Sequence, residues 1–249
     1  MELIALVTLF FVGTLAGFIN VLAGGGSSLT LPALILLGLD SATANGTNRL
    51  AILVQNILAI TGFEQEKQNQ FKLSFRLALF TLPGAVCGAL LAINISDLWF
   101  QRILTVIIIL VAASLFVPKP GGRNQKNLDK ENKWQGYLFL FLLGFYGGFI
   151  QVGIGFLLMV VLYHFIDRSL VKVNVHKVFI VFLYTIPALF VFILSGQIDW
   201  ILGFALAAGN GTGGWIAARL SVKKGDKIVR FVLALMLLFM AVKLAGQSL

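Results

Sequence analysis

Two positively charged side chains lie inside polar runs of a largely apolar sequence. Arg49 ends the run at residues 44–49 (Ala-Asn-Gly-Thr-Asn-Arg), and Lys177 follows Asn174 and His176. An ionisable residue inside a segment long enough to cross a membrane is a functional-site candidate by default. The two runs therefore predict one shared anion site, whose candidate substrate-binding residues are Asn45, Thr47, Asn48, Arg49, Asn174, His176 and Lys177.

The acidic residues follow the opposite pattern. All ten fall in loops or at the edges of apolar segments, at Glu2, Asp40, Glu64, Glu66, Asp97, Asp129, Glu131, Asp167, Asp199 and Asp226. A cation transporter or a carboxylate proton relay usually places such a group deep in the membrane. The distribution of charge therefore favours an anionic substrate.

Two glycine-rich breaks supply a second element that attracts anions. They interrupt apolar segments at residues 24–28 (Gly-Gly-Gly-Ser-Ser) and 153–155 (Gly-Ile-Gly). A helix that restarts after such a break presents unsatisfied N–H groups and the positive end of its dipole. We expect the breaks and the amide side chain before each to contact oxyanion oxygens, through Asn20, Gly24, Gly25, Gly26, Ser27, Ser28, Gln151, Gly153 and Gly155.

Each of these features also has a purely structural explanation. Arg49 can be a side chain that snorkels to a membrane interface, and Lys177 can belong to the neighbouring basic loop. Glycine-rich segments also serve close helix packing, and His176 can be a hydrogen-bonded helix residue rather than a titrating group. Two histidines and one cysteine are too few for a plausible metal site, so neither a metal nor a cofactor is predicted.

Composition places these residues in a membrane protein. Apolar residues make up 59% of the chain and charged residues 12%, which leaves too little polar surface to cover a soluble domain. Helices are expected because backbone groups in lipid must be satisfied within their own segment. Eight apolar segments are predicted, at residues 2–39, 44–62, 74–94, 98–117, 135–165, 172–195, 200–219 and 227–246.

An internal duplication organises these segments. Residues 16–20 resemble residues 147–151, each just before a glycine break, and weaker matches keep the same order through both halves. The prediction is an all-α, polytopic membrane protein with two inverted structural repeats, each a glycine-broken helical hairpin followed by three transmembrane helices. The first membrane repeat covers residues 1–117, a cytoplasmic linker covers 118–134, and the second membrane repeat covers 135–249.

Lysine and arginine determine the predicted orientation, because they collect in cytoplasmic loops. If each glycine hairpin enters and leaves on one side, nearly all basic residues fall on the face of the linker, and both termini lie outside. The expected location is the bacterial inner (cytoplasmic) membrane, crossed many times. The net charge of +9 is explained by these loops, so the expected partners are the lipid bilayer and a small anion rather than nucleic acid. Homo-oligomer formation is left open.

The glycine-rich run and the polar run after it resemble the TauE/SafE sulfite exporter family, over nearly the whole chain. Residues 16–26, Pro32 and residues 42–45 are similar to the family's glycine-rich segment, proline and polar segment. The second half departs from this pattern, since residues 153–155 lack the triple glycine and no proline follows at the place of Pro32. The resemblance implies a small bacterial transporter that exports sulfite, sulfonates or related sulfur oxyanions.

The expected function is therefore transport, with no enzymatic activity. One rival is a membrane enzyme that acts on a phosphorylated lipid or its headgroup, but such an enzyme needs a nucleophile, a general base or a metal cluster, and none is recognisable in the sequence. A non-catalytic membrane subunit is the other alternative. The substrate, the coupling ion and the direction of transport are left open by the residues themselves.

Overall fold

Helices form nearly all of the chain that the structure describes. The computed structural model describes residues 2–68, 71–114 and 133–232, and within these ranges it contains no strand. Most of the predicted linker and the chain beyond residue 232 lie outside these ranges. The helices are α1 (Glu2–Ala23), α2 (Ser27–Leu36), α3 (Ser41–Gln65), α4 (Phe71–Asn94), α5 (Asp97–Ser114), α6 (Lys133–Phe149), α7 (Ile154–Phe165), α8 (Leu170–Leu194) and α9 (Trp200–Lys224), and residues 226–232 begin a further helix.

Each glycine-rich break separates a long helix from a short one. Gly24 has a φ of +80° between α1 and α2, while Gln151 and Gly153 have φ values of +67° and +72° between α6 and α7. Glycine adopts such left-handed values without steric cost, whereas Gln151 is a non-glycine residue in this uncommon region. With 10 and 12 residues, α2 and α7 are about 15 and 18 Å long. Neither crosses a hydrocarbon core of about 30 Å by itself.

The exterior of the helices suits a lipid environment. Three described helical segments are long and apolar enough to cross a membrane: Leu3–Ala23, Phe71–Asn94 and Leu170–Leu194. Large apolar side chains such as Phe11, Phe80 and Phe190 are exposed on them, as expected where lipid rather than water is the solvent. The chain is thus a helical membrane protein whose polar side chains are concentrated inside.

Glycine pairs bring helices from different halves of the chain together. Each pair has a spacing of four residues, and a methyl group added at any of the eight glycines would collide with the backbone of the neighbouring helix. Small residues at this spacing let helices pack closely in membranes. The pairs Gly13/Gly17 and Gly209/Gly213 join α1 to α9, and the pairs Gly84/Gly88 and Gly144/Gly148 join α4 to α6.

The helix contacts define two groups, each with members from both halves of the chain. Helices α1, α2, α3 and α9 form the first helix group, and α4, α6, α7 and α8 form the second. Within the groups α3 runs parallel to α9, and α4 runs parallel to α8. Between the groups α3 and α8 cross in opposite directions, because Gly46 near the start of α3 meets Phe192 and Gln197 at the end of α8.

Charge divides the two ends of the bundle. One end, here called the basic face, contains the ends of α3 and α9 and the starts of α4 and α8. Its described cations are Lys67, Lys72, Arg76, Arg168, Lys172, Arg219, Lys223, Lys224, Lys227 and Arg230. At the opposite face Asp40, Asp97 and Asp199 lie at helix starts, and Asp97 Oδ1 accepts a hydrogen bond from Ser41 N at 2.7 Å.

Glu66 links the two parallel helices α3 and α9 at the basic face. Its Oε1 lies 3.1 Å from Arg219 Nε and 3.5 Å from Lys223 Nζ. The hydrogen bond from Arg219, with further attraction from Lys223, holds the pKa of the Glu66 carboxyl below its ordinary value of 4.5. A carboxyl whose folded-state pKa is lowered adds stability above pH 4.5, and this stability is lost as the pH falls through the folded-state pKa.

We therefore predict that Glu66→Gln lowers the unfolding temperature of the detergent-solubilised protein at pH 7 by a small amount, because exposed ion pairs contribute little. The difference from the wild type should disappear as the pH is lowered towards 3 or so. Thermal unfolding across this pH range measures the effect. Glu64→Gln removes a carboxylate from the same turn and is the matched control. A difference for Glu66→Gln that stays constant with pH would contradict the assignment.

Candidate anion site

A small cavity lined by both polar and apolar side chains lies where α3 and α8 cross between the two helix groups. Its volume is about 10 Å³, which is room for about one water molecule, so even a small oxyanion requires it to widen. Five of the predicted site residues line it, namely Asn20, Ser27, Gln151, Gly155 and Lys177. The other lining residues are Ile52, Gln55, Asn56, Ile154, Val178 and Val181.

Lys177 supplies the positive charge of the cavity. Its side chain is 2% exposed, and its Nζ donates hydrogen bonds to Asn20 O at 3.1 Å, Val21 O at 2.5 Å and Asn174 Oδ1 at 2.8 Å. Met159 Sδ lies 3.7 Å from Nζ as a fourth, weaker acceptor, so all three donors of the ammonium group have partners. Two of the acceptors are carbonyls of the last turn of α1: Asn20 O also accepts a hydrogen bond from Gly24 N at 2.8 Å, whereas Val21 O has no backbone partner in the described structure. In the described residues Lys177 has no ion pair with a carboxylate.

Arg49 lies on α3, closer to the opposite face, and is not among the residues that line the cavity. Its side chain is 0% exposed. Nη1 donates to Gly147 O at 3.0 Å and Nη2 donates to Gly148 O at 2.5 Å, while Asn45 Nδ2 donates to Phe149 O at 2.7 Å. Helix α3 therefore holds three successive carbonyls at the end of α6. Because Arg49 is fully buried, it is not a side chain that snorkels to the membrane interface.

The two glycine-rich breaks meet each other at the centre of the molecule. A methyl group at Gly24 would collide with the backbone of Gly155 and Phe156. Ser27 at the start of α2 and Ile154 at the start of α7 both line the cavity. In the described structure no side chain caps either of these two helix starts, so the positive ends of two helix dipoles lie beside the charge of Lys177.

The remaining predicted residues make contacts away from the cavity. Asn48 Oδ1 accepts from Thr30 at 2.7 Å, and Thr47 Oγ1 accepts from Asp199 N at 2.9 Å. His176 Nδ1 lies 2.8 Å from Ser74 Oγ, which joins α8 to α4. Four of the others form hydrogen-bonded turns at the breaks, namely Gly25, Gly26, Ser28 and Gly153. Asn174 accepts a hydrogen bond from Lys177.

Gln55 and Asn56 line the cavity but are absent from the predicted site. Gln55 Oε1 accepts a hydrogen bond from Asn20 Nδ2 at 3.2 Å, and Asn56 Nδ2 donates to Ile52 O at 2.7 Å. A signal for them exists in the sequence, because they continue the buried polar stripe of α3 that begins at Asn45 and Asn48. Polar residues at helical spacing in an apolar segment mark the inward face of a membrane helix.

The fold and the site together define a membrane transporter. Two broken helices meet inside an apolar bundle beside a buried cation, and transporters with interrupted helices place charged substrates and ions at such points. The chain belongs to the TauE/SafE family, since the family profile described as "Sulfite exporter TauE/SafE" matches residues 9–244.

Known proteins from several bacteria are similar along most of their length. A "Probable membrane transporter protein" of Haemophilus influenzae is 30% identical over 240 residues, which cover 96% of this chain and 94% of the relative. The "Probable membrane transporter protein YfcA" of Escherichia coli K12 is 30% identical over 245 residues, with 96% and 89% covered. A Bacillus subtilis protein, "Probable membrane transporter protein YjnA", is 26% identical over 250 residues, with 94% and 96% covered. No solved structure matches the chain.

The contact between the breaks gives a prediction for Gly24→Ala, with Gly38→Ala as the matched control. Both glycines have positive φ values, +80° and +97°, but Gly38 has nothing within 4 Å of an added methyl group. Both substitutions incur backbone strain, and only Gly24→Ala also forces apart the two breaks. We expect Gly24→Ala to cost roughly 1–3 kcal/mol more than Gly38→Ala, measured by thermal unfolding in detergent. Equal costs would show that the breaks do not need this contact.

Proposed function

We propose that the protein exports a small sulfur-containing oxyanion, such as sulfite or an organosulfonate, across the bacterial inner membrane. The observation that carries this proposal is the environment of Lys177. Its charge is buried beside the cavity and is balanced by carbonyl and amide oxygens rather than by a carboxylate. A permanent carboxylate partner would compete with an anionic substrate, whereas neutral oxygens can be replaced by substrate oxygens that carry charge.

The groups around Lys177 suit an oxyanion. Asn20, Gln55, Asn56 and Gln151 bring amide groups to the cavity, and the Oε1 of Gln151 has no hydrogen-bond partner among the described residues. Amide groups can donate N–H to anionic oxygens or accept from a protonated form. The starts of α2 and α7 add positive dipole ends. The cavity thereby offers one full charge and several neutral donors, which fits an anion of low charge.

The orientation in the proposal rests on the charges of the two faces. Basic residues gather at the cytoplasmic ends of membrane helices, so the basic face is assigned to the cytoplasm and α1 begins outside. The parallel pairs α1/α9 and α4/α6, together with the antiparallel crossing of α3 and α8, support two inverted repeats. In this arrangement α1–α5 correspond in order to α6–α9 and the helix that begins at residue 226.

The direction of transport follows from the membrane potential. An interior-negative potential drives each negative charge outward by about 2.3 kcal/mol per 100 mV, so export of an anion needs no coupling ion. The family description supports sulfite as the substrate, and the relatives are named only as probable membrane transporters. Sulfite is therefore the first substrate to test, followed by sulfonates that carry a small organic group.

Flux through purified protein in liposomes tests the proposal. We predict that protein-dependent movement of radiolabelled sulfite increases when a potassium diffusion potential makes the source compartment negative. Lys177→Gln should lower this flux at least about tenfold, because it removes hydrogen bonds from a charged group. Lys172→Gln is the matched control, since Lys172 is an exposed lysine of the same helix that pairs with Asp167 at 3.2 Å.

Two results would contradict the proposal. If vesicles that contain correctly inserted wild-type protein show no sulfite or sulfonate flux, the protein does not transport this substrate class. If Lys177→Gln gives wild-type flux at equal protein content and over a range of sulfite concentrations, Lys177 is not part of the anion site. Uncharged glycerol should show no protein-dependent movement in the same vesicles, which controls for leakage.

A further inference from the structure

We infer that Lys177 and Arg49 are the two gates of transport, each of which closes one side of the pathway by holding a helix end of the other helix group. This inference rests on the proposed transport of an anion, and it assigns the two buried cations different and complementary roles. Lys177 closes the side of the basic face, and Arg49 closes the side of the opposite face.

The first step is that both cations connect the helix groups in a crossed arrangement. Arg49 belongs to α3 of the first group and donates to Gly147 and Gly148 at the end of α6 in the second group. Lys177 belongs to α8 of the second group and donates to Asn20 and Val21 at the end of α1 in the first group. Any separation of the two groups must break one or both of these contacts.

The second step is that the two contacts lie at different depths. Arg49 is eight residues from the start of α3, which places it about 12 Å from the opposite face along the helix. Lys177 is seven residues from the start of α8, which places it about 10 Å from the basic face. A movement that opens one face can therefore release one cation while the other keeps its carbonyls.

The third step is that neither contact can be released without a replacement partner. Moving Lys177 away from α1 leaves Val21 O without a hydrogen bond and leaves the buried ammonium group with Asn174 Oδ1 as its remaining oxygen acceptor. Losses of this kind are costly inside a protein. An oxyanion that enters from the basic face offers acceptor oxygens to the ammonium group, while water from the open side satisfies the Val21 carbonyl. Release of the inner gate is thereby favoured when substrate is present.

The fourth step concerns the difference between the two gates. The Arg49 guanidinium spans two neighbouring carbonyls, and its carbon lies 4.9 Å from the centroid of the Phe192 ring, so it depends on a planar fork and on aromatic contact. A lysine at this position keeps the charge but lacks the planar fork and the flat face that contacts Phe192. The outer gate should therefore be weakened by a substitution that keeps the charge, whereas the inner gate depends on hydrogen bonds that either an ammonium or a guanidinium group can donate.

Side-specific labelling tests the gates without any substrate. A Ser27→Cys reporter, made on a Cys87→Ser background, places one thiol at the cavity, where the Ser27 side chain is 3% exposed. Right-side-out and inside-out vesicles are treated with a membrane-impermeant maleimide. We expect Lys177→Met to accelerate labelling from the basic face and Arg49→Met to accelerate it from the opposite face, each about tenfold or more, as expected when a charged hydrogen bond is lost.

Controls and milder variants accompany this experiment. Lys172→Met and Arg102→Met remove exposed cations near the same two faces and should leave labelling unchanged. Arg49→Lys should give an intermediate increase from the opposite face, and Lys177→Arg should keep the basic face closed. If a methionine variant is not inserted, Arg49→Lys tests the outer gate and Lys177→Gln tests the inner gate, with acceleration expected from the same faces. Equal acceleration from both faces, or unchanged labelling in inserted Lys177→Met, Lys177→Gln or Arg49→Met variants, would overturn the inference.

The labelling result is independent of the transported substrate. If labelling is accelerated from one side in the gate variants but the protein moves neither sulfite nor sulfonates, the gates are supported and the proposed substrate class is rejected. If the protein moves sulfite but substitution of Lys177 or Arg49 does not change labelling, the transport function is supported and the gates are rejected.

Discussion

Four backbone carbonyls at the interrupted ends of two helices have neither a further helical turn nor a lipid group to bind them, and this constraint determines the centre of the molecule. They belong to Val21 of α1 and to Gly147, Gly148 and Phe149 of α6. Inside an apolar bundle each unsatisfied group of this kind is destabilising. The chain meets the requirement with side chains from the other helix group. Lys177 binds two carbonyls of α1, and Arg49 with Asn45 binds three carbonyls of α6. The broken helices can thus exist in the membrane because two buried cations hold their ends.

The same arrangement explains why the two halves of the chain are interleaved. Glycine pairs join α1 to α9 and α4 to α6 at backbone distance, so each helix group contains one broken helix and is stiffened by a helix from the other half. Among the described residues the polar contacts between the groups are concentrated at the crossing of α3 and α8, at the two breaks and at the bonds from Asn45, Arg49 and Lys177 to helix ends. A bundle built this way has two closely packed helix groups and a junction that contains buried polar side chains, which is consistent with the proposed movement of one group against the other.

Much of this fold could be predicted from the sequence. The positions of the breaks and of the apolar segments follow from glycine clusters and hydropathy, and the structure has both breaks where residues 24–28 and 153–155 place them. The different surroundings of Lys177 and Arg49 could not be predicted, because each depends on which helix end of the other half lies opposite. Gln55 and Asn56 are predictable from the sequence as members of the polar stripe on α3, although neither is charged and neither lies at a glycine-rich break.

The central claim is that substrate oxygens replace helix carbonyls on Lys177. A structure determined by electron cryo-microscopy with bound sulfite, or with selenite as a denser analogue, tests this most directly. The expected result is an oxyanion in a widened cavity, within about 3 Å of Lys177 Nζ, with Nζ moved away from Asn20 O and Val21 O. An oxyanion bound elsewhere in the pathway, with Lys177 still bonded to both carbonyls, would contradict the claim.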